Sequence, residues 1–325
     1  VLALKNALGL SEAPILLCPF FAAGGRVTVD DVHYLCEGEE RVPVGETEFA
    51  RDRTFGYRSS NLRDWVREKS GDTLHTESIS LKEVRSGRAT DRLINLPNDS
   101  VCVLNCETND DLSLLVAGVK EAESAGRQFV FRTAASFAAA YAGVKGKKWQ
   151  PRAEHMGVGL VVVGSYVQKS TEQLQVLHHL EGLAPILVDI TALLDGQREG
   201  EIIRCSTRAT EQMQQGKTPV LFTSREHRQA GDLSTGARIS DALVSIVESI
   251  EVAPHWMVAK GGITSNDIAT KALGIRRALV LGQIAAGVAV WECGEETKWP
   301  KVPYVVFPGN VGATDTLTRV VQEFM

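Results

Sequence analysis

Three stretches in the second half of the chain share one pattern: VVVGSYVQKST (161–171), VAKGGITSND (258–267) and VVFPGNVGATD (305–315). In each, an apolar β-branched run meets glycine and then a polar stretch that can open a helix. A helix start presents unpaired N–H groups and about half a positive charge, so it binds anions without a cationic side chain. In open α/β sheets such loops gather where the strands end, and several convergent anion sites suit a polyphosphate better than one carboxylate. The structural alternatives stay open at this point. Gly261–Gly262 also reads as a plain turn, Thr264 with Asp267 has the spacing of a capping-box variant, and FPGNVG reads as an ordinary turn. Lys260 suits either a phosphate contact or a solvated strand end.

Two familiar phosphate signatures fail. GKT at 216–218 has Glu211 where a P-loop needs glycine, and a strand follows it instead of a helix. GVG at 157–159 would need its third glycine at Val162, which disfavours a dinucleotide fold of the dehydrogenase kind.

The first half offers different chemistry. GGRVTVDDVHY (24–34) sets Arg26, Thr28 and His33 around a glycine turn, and FRTAASF (131–137) sets Arg132, Thr133 and Ser136 where a strand hands over to a helix. Arginine's planar fork suits a carboxylate and the hydroxyls suit a polyol, so an acidic sugar would satisfy both. Each arginine taken singly also reads as a surface ion-pair partner. Asp30–Asp31 reads as an Mg²⁺ ligand pair or as two solvated acids.

The elements that must position these residues follow from periodicity. From 159 onward buried strands alternate with amphipathic helices, and residues 100–133 repeat the strand–helix–strand pattern. VHYLCEGEERVPV reads as a hairpin turning at Glu37–Glu40. The fold class expected is α/β: two α/β domains with mostly parallel sheets, the C-terminal one Rossmann-like. The polar segment 145–155 with Pro151 marks the predicted boundary, giving domains 1–150 and 151–325, and VKGKKWQPR (144–152) reads as a solvated linker. A length of 325 residues, 44% hydrophobic and 23% charged, suits two soluble domains. A net charge of −5 argues against nucleic acid as a partner, and no apolar run reaches a membrane span. Six scattered cysteines fit reduced thiols in a cytoplasmic protein. Cys102 and Cys106 lack a second pair and His178–His179 stand alone, so a zinc site is not expected. The chain starts without Met in what reads as mid-helix, which predicts further residues upstream.

CPFFAAGGRVTVDDVHYL, VPVGETEFARD, VVGSYVQKSTEQL, KGGITSNDIATKALGI and FPGNVGATDTL, in that order, resemble the four-carbon acid sugar kinase family. That family phosphorylates threonate, erythronate and 3-oxo-tetronate with ATP. The resemblance spans nearly the whole chain. It implies a sugar-acid-binding N-terminal domain, an ATP-binding C-terminal domain and an active site in the cleft between them. By position it assigns Ser165, Gly261, Gly262, Thr264 and Gly309 to the nucleotide. Ile263, Asn310 and Gly312 complete the candidate cofactor set from the same loops. Arg26 and the 132–136 turn would face the substrate, and Thr28 and His33 join them. The chain departs from the family in having Ile263-Thr264 where Asp-Thr usually follows the glycine pair, and Phe307 where Lys usually precedes Pro-Gly. The family's Asp-Asp-x-Thr-Gly and Lys-x-Asp-Ser-Thr-x-Arg-Gly segments are absent, so no catalytic base and no metal ligand is assigned. The expected activity is transfer of the γ-phosphoryl group of ATP, with Mg²⁺, to a terminal hydroxyl of a four-carbon acid. The alternative is a non-catalytic nucleotide- or sugar-acid-binding module. No membrane partner is expected, and a homodimer or a fusion to other metabolic domains is left open.

Overall fold

The structure is a computed structural model and describes residues 1–38, 40–51, 56–165, 167–224 and 233–325. The chain divides into two compact units, Val1–Lys145 and Gly146–Met325.

The first unit runs α1 (Leu2–Ala7), β1 (Ile15–Cys18), β2 (Arg26–Val29), β3 (Val32–Glu37), β4 (Glu40–Pro43) and α2 (Leu62–Ser70). It continues with β5 (His75–Ile79), α3 (Leu81–Arg85), α4 (Ala89–Ile94), β6 (Ser100–Leu104), α5 (Asn109–Ser124), β7 (Val130–Thr133) and α6 (Ala135–Ala142). Strands β5–β6–β1–β7 form a parallel sheet in that order. All residues of β1 (ILLC) and β6 (SVCVL) are buried, as a strand covered on both faces requires. Alternation divides them between two cores. Leu16, Cys18, Cys102 and Leu104 pack with Leu112, Leu115 and Val119 of α5, while Ile15, Leu17, Val101 and Val103 pack with Leu62 and Val66 of α2. Local signals start the helices. Asn61 caps α2, and capping boxes open α3 (Ser80–Glu83) and α5 (Thr108–Asp111). Between β1 and α2 the chain forms a separate antiparallel sheet, β2–β3–β4. Asp30 and Asp31 turn its first hairpin with φ of 50° and 64°, the left-handed pair that a tight two-residue hairpin requires.

The second unit contains β8 (Leu160–Val163), α7 (Gln168–Leu177), β9 (Leu183–Val188), α8 (Ile190–Leu194), α9 (Arg198–Gln214), β10 (Thr218–Thr223) and α10 (Leu233–Ser249). Then follow β11 (Met257–Lys260), α11 (Gly262–Asp267) with a π turn Ile268–Ala272, β12 (Ala278–Ala285), β13 (Val288–Cys293), β14 (Pro303–Phe307) and α12 (Thr316–Gln322). The sheet order is β12–β13–β14–β11–β8–β10–β9. Its last five strands are parallel, and β12 and β13 add an antiparallel edge. Leu160, Val162, Met257 and Ala259 point from the central strands into a core shared with α9, α10 and the π turn.

Two sequence expectations change here. VAVWEC (288–293), which the periodicity reading passes over, is strand β13. Residues 147–149, read as solvated linker, bond to β12 instead: Gln283 N donates to Lys147 O at 2.8 Å and Trp149 N donates to Gln283 O at 2.9 Å.

Candidate functional site

In the second unit β14, β11 and β8 are adjacent and parallel, so the three glycine-containing segments leave the same edge of the sheet. They are bonded to one another. The amide of Gly261 donates to Phe307 O at 2.9 Å. The Ser170 hydroxyl, in the first turn of α7, donates to Gly309 O at 2.9 Å and lies 3.1 Å from Ser165 Oγ. Gln173 Nε2 donates to Val311 O (3.1 Å) and Ala313 O (2.7 Å). A side chain would break this packing. A Cβ on Gly164 would stand 2.3 Å from Thr264 Oγ1, and one on Gly261 would meet Ser165 Cβ and Thr264 Oγ1, each at 3.0 Å. Gly261 also has φ +121°, which L side chains rarely adopt. That conformation lets β11 pass straight into α11 with no intervening loop.

The first helical bond of α11 runs from Ser265 N to Gly261 O, and no side chain among the described residues caps the start. The amides of Gly262, Ile263 and Thr264 therefore stand ahead of the helical ladder, the arrangement that takes anions. A Cβ on Gly262 would meet nothing within 4 Å, and the Ile263 side chain is exposed. Beneath them, Ser265 Oγ donates to Ala259 O (2.6 Å) and Tyr304 OH donates to Ser265 O (2.7 Å), fixing the helix to the sheet. The capping-box alternative for Thr264 and Asp267 does not hold. Thr264 lies inside the helix, and Asp267 accepts from Ser240 at 2.6 Å. Asn310 is exposed, Gly312 packs against Thr316, and Tyr166 lies outside the described residues. Lys260 is not a solvated strand end, since its side chain is fully buried.

In the first unit a cavity of ≈ 300 Å³ is lined by Leu17, Pro19, His33, Val44, Tyr57, Ser59, Leu62, Trp65, Arg132, Thr133 and Ala134. Three of the six residues expected around a substrate, His33, Arg132 and Thr133, meet there. Strand β7 carries Arg132 and Thr133 to the end of the sheet, β3 brings His33, and α2 brings Trp65, whose ring centroid lies 5.5 Å from the Arg132 guanidinium. Thr28 and Arg26 stand behind this lining. The buried Thr28 Oγ1 lies 3.0 Å from His33 Nδ1, and Arg26 stacks over Phe49 at 5.2 Å. Ser136, in α6, is not part of the lining.

Burial, with Arg26 nearby, pushes the His33 imidazole down to about 4, so it is neutral at physiological pH. Burial also pulls Arg26 below the usual arginine value and raises the Tyr57 phenol. Asp31 does not stand as a free ligand, because its carboxylate accepts from Asn105 Nδ2 (2.7 Å) and from the Ser78 hydroxyl. Among the described residues no group of three or more His, Cys, Asp or Glu side chains is placed to hold a metal ion. None of their helices is long and apolar enough to cross a membrane. Sequence reasoning missed Tyr57, Ser59 and Trp65. The Asn61 cap and the amphipathic helix after it were the available signal for Trp65.

The two units match two families of domains. Residues 1–141 match the family of sugar-binding N-terminal domains, and residues 160–317 match the family of nucleotide-binding C-terminal domains. The chain is thus a two-domain α/β protein whose domains match a sugar-binding and a nucleotide-binding family, in that order. The pair supports the four-carbon acid sugar kinase family, broadly taken. Among solved structures, a Salmonella typhimurium LT2 protein provisionally named a tRNA synthase has a TM-score of 0.70 at 17% identity. A Haemophilus influenzae protein of the DUF1537 family has a TM-score of 0.60 at 17% identity. Each alignment covers 99% of this chain and 76% of the other, and at this identity the likeness is one of fold. Among curated proteins nothing matches the sequence.

Proposed function

We propose that this protein is an ATP-dependent kinase that phosphorylates a hydroxyl of a four-carbon sugar acid of the threonate, erythronate or 3-oxo-tetronate class. The observation that carries the reading is the hydrogen-bonded meeting of three strand-end segments in the domain that matches a nucleotide-binding family. Phosphoryl transfer asks a protein chiefly to position reactants and stabilise charge, which backbone amides at helix starts can do. In this reading Ser165, Gly261, Gly262, Ile263, Thr264, Gly309, Asn310 and Gly312 surround the phosphates of ATP. Arg132 offers its planar fork to the acid's carboxylate, while Thr133, Ser59 and Tyr57 offer hydroxyls to the polyol. Arg26 and Thr28 act indirectly, through His33. Mg²⁺, which nucleotide kinases hold largely through the phosphates themselves and water, would neutralise phosphate charge there when bound.

One observation favours a second reading, a binding module without turnover: the described residues that line the first unit's cavity include no carboxylate to take the hydroxyl proton. A coupled ATP-consumption assay over a panel of four-carbon sugar acids separates the two. Acid-dependent turnover supports the kinase. Thermal stabilisation by ATP and by an acid, without turnover, supports the module. Neither response to either ligand refutes both.

A further inference from the structure

Lys260 ends β11, and strand-end lysines ordinarily keep their ammonium in water. This one is fully buried. Its Nζ donates to Pro308 O at 3.1 Å and sits 4.0 Å from the centroid of the Phe307 ring. Its strand partners in register, Val163 of β8 and Phe307 of β14, carry no charge. Asp267 of the overlying α11 is turned to Ser240 (2.6 Å) and Lys271 (3.4 Å). Among the described residues the charged group that acts on Lys260 is Lys169 of α7, a like charge. A buried ammonium with one carbonyl, one ring face and a neighbouring cation is an expensive arrangement unless something anionic completes it. It stands where two of the glycine-containing segments meet, since Gly261 follows it and bonds to Phe307 O while its own Nζ bonds to Pro308 O.

We propose that Lys260 is the counter-charge for a phosphate anion on these loops, donating to the anion and taking up a proton as it binds. Naming that anion as the phosphate tail of ATP rests on the function proposed above; the counter-charge role does not. Burial and then Lys169 hold the lysine down to about 7, so it is half neutral at neutral pH. An anion beside it favours the charged form. At pH 8 binding should therefore draw in about 0.9 proton, and at pH 6 only about 0.1.

The test is calorimetry at pH 8 in two buffers of different ionisation enthalpy, with ATP and separately with inorganic tripolyphosphate, on the full chain. The expected result is uptake of about 0.9 proton by the wild type and none by Lys260→Met, with affinity at pH 7 reduced about tenfold or more in the variant. Lys169→Ala leaves Lys260 in place but removes the like charge. Its uptake at pH 8 should fall in part, because burial still holds the lysine down but the repulsion from Lys169 is gone. Uptake that is equal in wild type and Lys260→Met overturns the proposal while leaving nucleotide binding intact. Lys260-dependent uptake with tripolyphosphate but no binding of ATP upholds the proposal and removes the nucleotide reading. Binding of neither ligand overturns both.

Discussion

His33 makes the first unit's stability depend on pH in a way that can be calculated. The imidazole is buried, its Nδ1 lies 3.0 Å from the buried Thr28 hydroxyl, and desolvation with Arg26 holds it near 4 against 6.5 in an unfolded chain. The folded unit resists a proton that the unfolded chain accepts. The contribution of neutral His33 is therefore fully present above pH 6.5 and is lost as pH falls from 6.5 toward 4. At pH 5 the loss is about 2 kcal/mol, approaching about 3 kcal/mol once both states are protonated. His33→Gln removes the titration while keeping an amide able to reach Thr28. A two-unit protein has no single unfolding free energy, so the readout must be local. Urea titrations at pH 7 and pH 5, each read by a hydrogen-exchange pulse at one fixed pH, report peptides of β1 and β6. The wild-type midpoint should drop between the two pH values by about 2 kcal/mol more than that of His33→Gln, carboxylates being common to both. Equal drops would show that His33 is not buried neutral, and the account of the cavity's electrostatics would fail with it.

Gly261→Ala should weaken ATP binding about tenfold or more, since φ of +121° and two contacts at 3.0 Å must both yield, a strain of about 1–3 kcal/mol; undiminished ATP affinity by calorimetry would count against the site. Arg132→Lys should weaken the sugar acid about tenfold with ATP affinity unchanged, because an ammonium cannot reproduce the two-pronged contact; equal acid affinity in the two proteins would remove Arg132 from the site. Lys260→Met should raise the thermal stability of the second unit more at pH 7 than at pH 10. The wild type carries a buried group held near 7 against 10.5 when unfolded, so its own stability climbs across that interval. A melting-temperature difference that does not vary with pH would contradict this.

How much of this was legible in the sequence depended on whether local signals were enough. β8 and β11 announce themselves as apolar runs ending in glycine, and the alternation of Ile15–Cys18 and Val101–Leu104 between two cores is what burial on both faces demands. β13 was missed because both its faces carry apolar residues, Val288 and Val290 on one and Trp291 and Cys293 on the other, which blurs the alternation, and because Ala285–Gly287 gives little turn signal. The helix that periodicity reads from Asn266 begins earlier, because the chain enters it at Gly262, a residue that propensity argues against. What permits that start is the left-handed backbone of Gly261 and its bond to Phe307, a residue 46 positions away. The cavity was half visible. His33, Arg132 and Thr133 could be picked by type, and the amphipathic α2 was a signal for Trp65, but Tyr57 is placed by bonds to Ala50 O and Val44 O, which no periodicity encodes.

The two candidate sites are built from different materials, and that difference predicts where each tolerates change. The first unit's cavity presents side chains (a guanidinium over an indole, a neutral imidazole, hydroxyls), so truncating one of them subtracts one contact and leaves the sheet intact. The second unit's site presents main chain. Its amides are fixed by Ser170, Gln173, Ser265 and Tyr304, none of which needs to touch a ligand. Gln173 shows the consequence. Both its Nε2 bonds hold the carbonyls of Val311 and Ala313, and Oε1 is buried without a partner among the described residues. Replacing it by Leu would strand two carbonyls while relieving one orphaned acceptor. The loop should loosen and phosphate affinity should fall although no ligand contact is lost. A site made of backbone is therefore most vulnerable through the side chains behind it, whereas a site made of side chains is most vulnerable at its surface.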